Sequence, residues 1–276
     1  MKPFKKIALM TFLLLLLSGF ANLYAKAPTL DPADDAKHFG PPEKILMWTP
    51  EQQVAGYRNM DKLRPTRKIA AGGAVLKLPE KRVDLGDVEI TAEGQTLTVD
   101  EYFIQQNVAG LLVIKDGNII YERYGLGNTE HSLWVAFSVA KSVTSMLIGA
   151  AIQDGYIKSL DEKVTDYLPR LKHSAYDQSN IRNLLQMSSG VEWNEDYADP
   201  ESDIGIIARE SPDTLELYEY LRHKPSDAAP GEIFNYNTAE TNLAGTLLRA
   251  AIGNNLATYL SEKIWSKLGM QSDASW

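Results

Sequence analysis

The 276-residue chain contains no cysteine. Disulfides, thiol nucleophiles and cysteine-ligated metals are therefore excluded. Histidine is scarce: His38, His131, His173 and His223 are scattered, and no two stand at a spacing that would put them on one helix face around a metal. Excess positive charge is missing too. The 28 Lys and Arg against 36 Asp and Glu give a formal net charge of −8, so there is no global basic footprint for nucleic acid. No Gly-x-Ser-x-Gly elbow occurs, and Ser188-Ser189-Gly190 lacks the leading glycine. That leaves little support for a serine hydrolase dependent on histidine. The longest apolar run, Ile7–Leu17, is too short to span a bilayer comfortably. There is no internal repeat and no low-complexity tract.

What is present begins with that run. Lys2, Lys5 and Lys6 precede it, Ser18 and Gly19 break it, and Ala25-Lys26-Ala27 offers a small-x-small cleavage site. This is the layout of a signal peptide over 1–27. With no cysteine after the run there is no lipoprotein anchor. Export without disulfides suits a bacterial periplasm, or secretion, and leaves no stable membrane span once the signal is removed. Residues 28–94 read as an extension wrapping the main domain, with a short helix over 48–57. A helix is expected from Val99 to Gln106. Ala109–Ile114 and Asn118–Tyr124 flank an Asp-Gly turn and predict a β-hairpin. Further helices are expected over 138–153, from Leu160-Asp161 to about 168–169, and over 181–187, 213–221, 242–253 and 257–268. The helix 138–153 is apolar or small on nearly every face, which predicts burial all round.

Ser138 and Lys141 open that helix as Ser-x-x-Lys. Residues three apart share a helical face, and a serine at a helix start sits among unpaired backbone donors. A serine hydroxyl needs a neighbouring base to become a nucleophile. A lysine losing hydration in an apolar helix can serve as that base, and burying it without such a role would be costly.

Ser138-Val-Ala-Lys141-Ser-Val-Thr-Ser145 resembles the active-site helix of class C β-lactamases, DD-peptidases and related esterases. Ala151–Asp161 with Val164–Pro169 strengthens the likeness. So do Ile181-Arg-Asn-Leu-Leu-Gln-Met-Ser-Ser-Gly190 and Pro230-Gly-Glu-Ile-Phe-Asn-Tyr236-Asn-Thr238. The blocks stand in the family's order over roughly 95–276. The resemblance implies an α/β fold of the β-lactamase/transpeptidase type: an antiparallel sheet flanked by helices, plus a helical lobe. It also implies a serine hydrolase with Ser138 as the acylated nucleophile, Lys141 as its proton acceptor and Tyr236 as the proton shuttle. The Ser138 N–H and one from a later strand would bind the oxyanion. Val191–Asp203 is similar to a loop of the 6-aminohexanoate-dimer (nylon-oligomer) hydrolases, which makes Tyr197 a substrate contact and leaves the other acidic residues as a solvated loop. Thr238, where the family usually has asparagine, keeps a hydroxyl but lacks an amide. It would touch substrate and favours an esterase or amidase over a β-lactamase.

The family's later Lys/His-Thr/x-Gly strand and last helix have no counterpart before Trp276, so the domain 95–276 reads as incomplete, lacking C-terminal strands. An open sheet edge invites aggregation, and the chain alone is expected to fold poorly or show little activity. The expected substrate is a small ester or amide, and no metal or organic cofactor is required. Nothing fixes the oligomeric state. Two alternatives remain: a non-catalytic cell-wall-binding pseudoenzyme, and a β-lactamase or DD-peptidase proper.

Overall fold

The computed structural model of the chain describes residues 26–92, 94–209 and 215–276. The expected signal peptide therefore lies outside the described residues, apart from Lys26 and Ala27. Among the described residues no helix is long and apolar enough to cross a membrane. In chain order the principal elements are α1 (Pro50–Tyr57), β1 (Lys68–Ile69), β2 (Glu89–Ala92), β3 (Gln95–Thr98), α2 (Val99–Gln105), β4 (Gly110–Lys115), β5 (Asn118–Tyr124) and α3 (Val139–Gln153). They continue with α4 (Ile181–Leu185), α5 (Asp203–Arg209), α6 (Leu215–Arg222), α7 (Thr238–Ile252), α8 (Leu256–Leu260) and β6 (Ala274–Ser275). The described strands form three antiparallel ladders, β1–β6, β2–β3 and β4–β5.

The chain divides into two compact units. Among the described residues, the first holds 26–40, 48–59 and 77–134, and the second holds 41–47, 60–76 and 135–276. The segment 28–94 is thus shared between them, and the hairpin β4–β5 belongs to the first.

In the first unit the Asp-Gly turn forms as its sequence dictates. Asp116 (φ 51°) and Gly117 (φ 73°) are both left-handed, the twist that a two-residue hairpin requires. Thr49 and Gln52 make a reciprocal capping box at the start of α1. A Cβ on Gly56 would fall 2.2 Å from the Trp48 ring, so only glycine fits there. Trp48 in turn stacks on Tyr57 at 5.8 Å. The buried Asp35 accepts from Arg58 Nε and Nη2, both at 2.7 Å, and from Asn59 Nδ2 at 2.7 Å. Arg58 also donates to the carbonyls of Leu30 and Leu126, so each charge is both paired and hydrogen-bonded.

The second unit is built on α3 packed against α7. Leu147, Ile148 and Ala151 meet Leu243, Ala244, Leu247 and Leu248 in one core with Leu171, Ile181, Leu184 and Leu260. Two expectations change here. The helix expected from 160 is only a turn, Val164–Tyr167, followed by a 3₁₀ turn, Pro169–Leu171. Lys163 is extended because it bridges Asn180, and Pro169 has no N–H with which to continue the ladder. Nor is α3 buried all round. It buries Thr144, Leu147, Ile148 and Ala151, while Val139 is 68% and Met146 48% exposed. An apolar composition permits burial on every face, but packing supplies it here on one stripe only.

Candidate active site

Ser138 stands at the N-cap of α3. Phe137, just before it, has φ 41°, a left-handed conformation that is unusual for a bulky side chain and costs about 1–3 kcal/mol. The helix then opens with tight i→i+3 bonds, Ala140 N–H to Phe137 O and Lys141 N–H to Ser138 O. This entry turns the exposed Ser138 hydroxyl toward two partners. Lys141 Nζ lies 3.0 Å from Ser138 Oγ and Tyr236 OH 2.9 Å from it. Lys141 Nζ is also 5.3 Å from the centre of the Tyr236 ring. Two of the residues expected from sequence thus converge on the hydroxyl of the third, with Tyr236 98 positions away from the serine. Lys141 is half-buried rather than stripped of water, a consequence of the open face of α3. Among the described residues the Ser138 N–H has no backbone acceptor, so it is available to an oxyanion at a helix start.

Tyr197 and Thr238 are brought together by a residue that the sequence reading passed over. Glu195 Oε1 accepts from Tyr197 OH at 2.6 Å and from Thr238 Oγ1. Its Oε2 accepts from the Thr238 N–H at 3.0 Å and from Trp193 Nε1. A carboxylate facing the first N–H groups of α7 is favourably placed in the helix dipole. Partial burial first, and the Glu195 carboxylate second, raise the Tyr197 phenol above the ordinary tyrosine range, which keeps it a proton donor. Asp203, buried at the start of α5, fixes the same loop. It accepts from the Asn194 N–H (2.7 Å), Lys224 Nζ (2.9 Å) and Tyr220 OH. Burial alone would raise its carboxyl, but the bonds from Tyr220, Lys224 and Asn194 outweigh burial and hold it below the usual range. The expectation of a merely solvated acidic loop therefore fails at Glu195 and Asp203. The signal was present in the block Trp193-Asn-Glu-Asp-Tyr197, but the partners lie far away in sequence.

Beside Lys141 is a cavity of about 490 Å³, lined among others by Phe137, Lys141, Thr144, Thr238 and Arg249. Among the described residues no cluster of three or more His, Asp and Glu is arranged to hold a metal.

The β-lactamase family model matches residues 98–275. The chain belongs to the β-lactamase family. Among relatives, it is 30% identical over 171 residues to the 6-aminohexanoate-dimer hydrolase of Paenarthrobacter ureafaciens, spanning 59% of this chain and 43% of that protein. It is 29% identical over 186 residues to a β-lactamase of Pseudomonas fluorescens, spanning 63% and 48%. The chain spans about half the length of these two relatives. A solved Bacillus anthracis structure, described as a candidate 6-aminohexanoate-dimer hydrolase, superposes with a TM-score of 0.71 at 22% identity, over 82% of this chain and 61% of that one. It shares the fold. The β-lactamase match thus contains Ser138, Lys141, Glu195, Tyr197, Tyr236 and Thr238.

Proposed function

We propose that this β-lactamase-family chain hydrolyses a small ester or amide through an acyl-enzyme on Ser138. The observation that carries the reading is the convergence of Lys141 Nζ and Tyr236 OH on Ser138 Oγ, at 3.0 and 2.9 Å. Those distances suit proton transfer. The Ser138 proton passes to the Lys141–Tyr236 pair as Oγ attacks the carbonyl carbon. The Ser138 N–H receives the developing oxyanion. The proton then moves to the leaving alcohol or amine. Water, deprotonated by the same pair, releases the acid and restores the serine.

Family membership and the 6-aminohexanoate-dimer hydrolase relative support an amide or ester substrate. Thr238 supports the same choice over a β-lactam, because its hydroxyl is held by Glu195 and no side-chain amide stands at that position. Tyr197 is assigned to the substrate-facing loop. We further propose export to the periplasm or beyond, with 1–27 carrying the signal.

A nitrophenyl-ester assay tests the reading. Whatever turnover the protein shows, Ser138→Ala is expected to reduce it by about a thousandfold or more. Equal rates in the two would end the proposal. Nitrocefin hydrolysis faster than ester hydrolysis would move the function to a β-lactamase proper.

A further inference from the structure

We propose that Glu240 is a positioning residue: its buried carboxyl, tied to Ser189, holds the first turn of α7 so that the Tyr236 hydroxyl stays on Ser138. The proposal rests on the reading of Ser138 as the nucleophile.

Glu240 is 2% exposed and Ser189 1%. Ser189 Oγ donates to Glu240 Oε1 and accepts from the Val191 N–H at 3.1 Å. The Glu240 N–H donates to Asn237 Oδ1 at 3.2 Å, the N-cap of the helix. On the other side of Tyr236, the Asn235 N–H donates to Met187 O at 2.9 Å and the Gly231 N–H to Ser188 O at 2.7 Å. Tyr236 is therefore suspended between two attachments to one strip, residues 187–189. One attachment is backbone; the other is the Glu240 side chain. The acid takes no part in the chemistry proposed above, yet it is placed in the core where a leucine would be cheaper.

The carboxyl is neutral at neutral pH. Burial raises its pKa to about 8, against the lowering effect of the Ser189 hydrogen bonds. Among the described residues no cation pairs with it. The titratable group facing it from the turn Ala175–Gln178 is Tyr176, fully buried, with its own phenol raised first by burial and then by Glu240. The strip 187–189 brings no titratable side chain, and the other charged group acting on Tyr176 is the carboxylate of Asp203, an acid like Glu240. An ionised Glu240 would thus meet no compensating charge. The cheapest relief is movement of the first turn of α7, and Tyr236 moves with it.

The experiment measures the rate of Ser138 modification by a fluorophosphonate, read by mass spectrometry from neutral to alkaline pH, in the full chain. Wild type is expected to slow as pH rises through about 8. Glu240→Gln still accepts from Ser189 and cannot ionise; it should match wild type at neutral pH and lose that step. Glu240→Ala, folded by circular dichroism, should react about tenfold to a hundredfold more slowly. Wild-type rates in a folded Glu240→Ala, or an unchanged alkaline step in Glu240→Gln, overturn the proposal. A second readout needs no reactivity: the ¹³Cζ resonance of Tyr236, assigned through Tyr236→Phe. A step near pH 8 that Glu240→Gln abolishes supports the positioning role, and its absence from wild type contradicts it. If wild-type Ser138 is never labelled, the hydrolase reading fails while the resonance still decides the role of Glu240.

Discussion

Glu240 also makes a stability prediction at the scale of one residue. Its pKa is raised in the folded state to about 8 from the ordinary 4.5. A group raised on folding contributes fully below its unfolded value, and the contribution is lost as pH rises through the folded one. Stability should therefore fall between about pH 4.5 and 8, by an amount on the order of a few kcal/mol. Thermal melts of wild type and Glu240→Gln across that window check this. Wild type should lose melting temperature relative to the variant as pH rises, whereas parallel curves would show that Glu240 titrates like an exposed acid. At this scale the sequence was partly legible. Ser138 and Lys141 are readable because three-residue spacing on a helix is a local fact. Glu240 and Ser189 are not, because they meet across 51 positions and a glutamate in a helix carries no mark of its burial.

At the scale of elements, the loop 194–203 and the start of α7 are fastened through Glu195. Four donors converge on its two oxygens, and an amide can accept at only one. Glu195→Gln must turn an NH₂ toward at least one donor pair, leaving those groups unsatisfied at a cost of about 1–3 kcal/mol. The expected result is a lower urea midpoint and a raised KM for the ester as the Tyr197 loop loosens, with kcat changed less. An unaltered midpoint and KM would mean that the loop is held by Asp203 alone. Element boundaries follow the same division between local and distant causes. The hairpin turn at Asp116-Gly117, α3 and the body of α7 announce themselves through turn chemistry and composition, whereas the first turn of α7, 238–241, lies before the helix expected from 242. The stretch 160–168 does not announce itself, because its conformation is set by the distant Asn180 bridge. Ladder β1–β6 joins residues 68–69 to 274–275, and two-residue strands are too short to show alternation.

At the scale of the whole molecule, the reacting groups, the loop carrying Tyr197 and the Glu240–Ser189 tie all lie in the second compact unit. The Asp35–Arg58 pair and the hairpin lie in the first. The motif blocks place one domain over 95–276 and the family model matches 98–275, while the compact units meet in sequence at 134/135 and the second also takes in 41–47 and 60–76. Sequence periodicity carries no information about which segments pack together across such distances, whereas the family motifs do locate the chemistry. That chemistry is tested most directly by trapping the acyl-enzyme. Incubation with a slowly turned-over activated ester, followed by mass spectrometry of the peptide bearing Ser138, should show the acyl mass on that serine in wild type and a strongly diminished yield in Lys141→Ala and Tyr236→Phe. Acyl groups on other residues, or equal labelling of Ser138 in all three proteins, would contradict a nucleophile activated by these two partners.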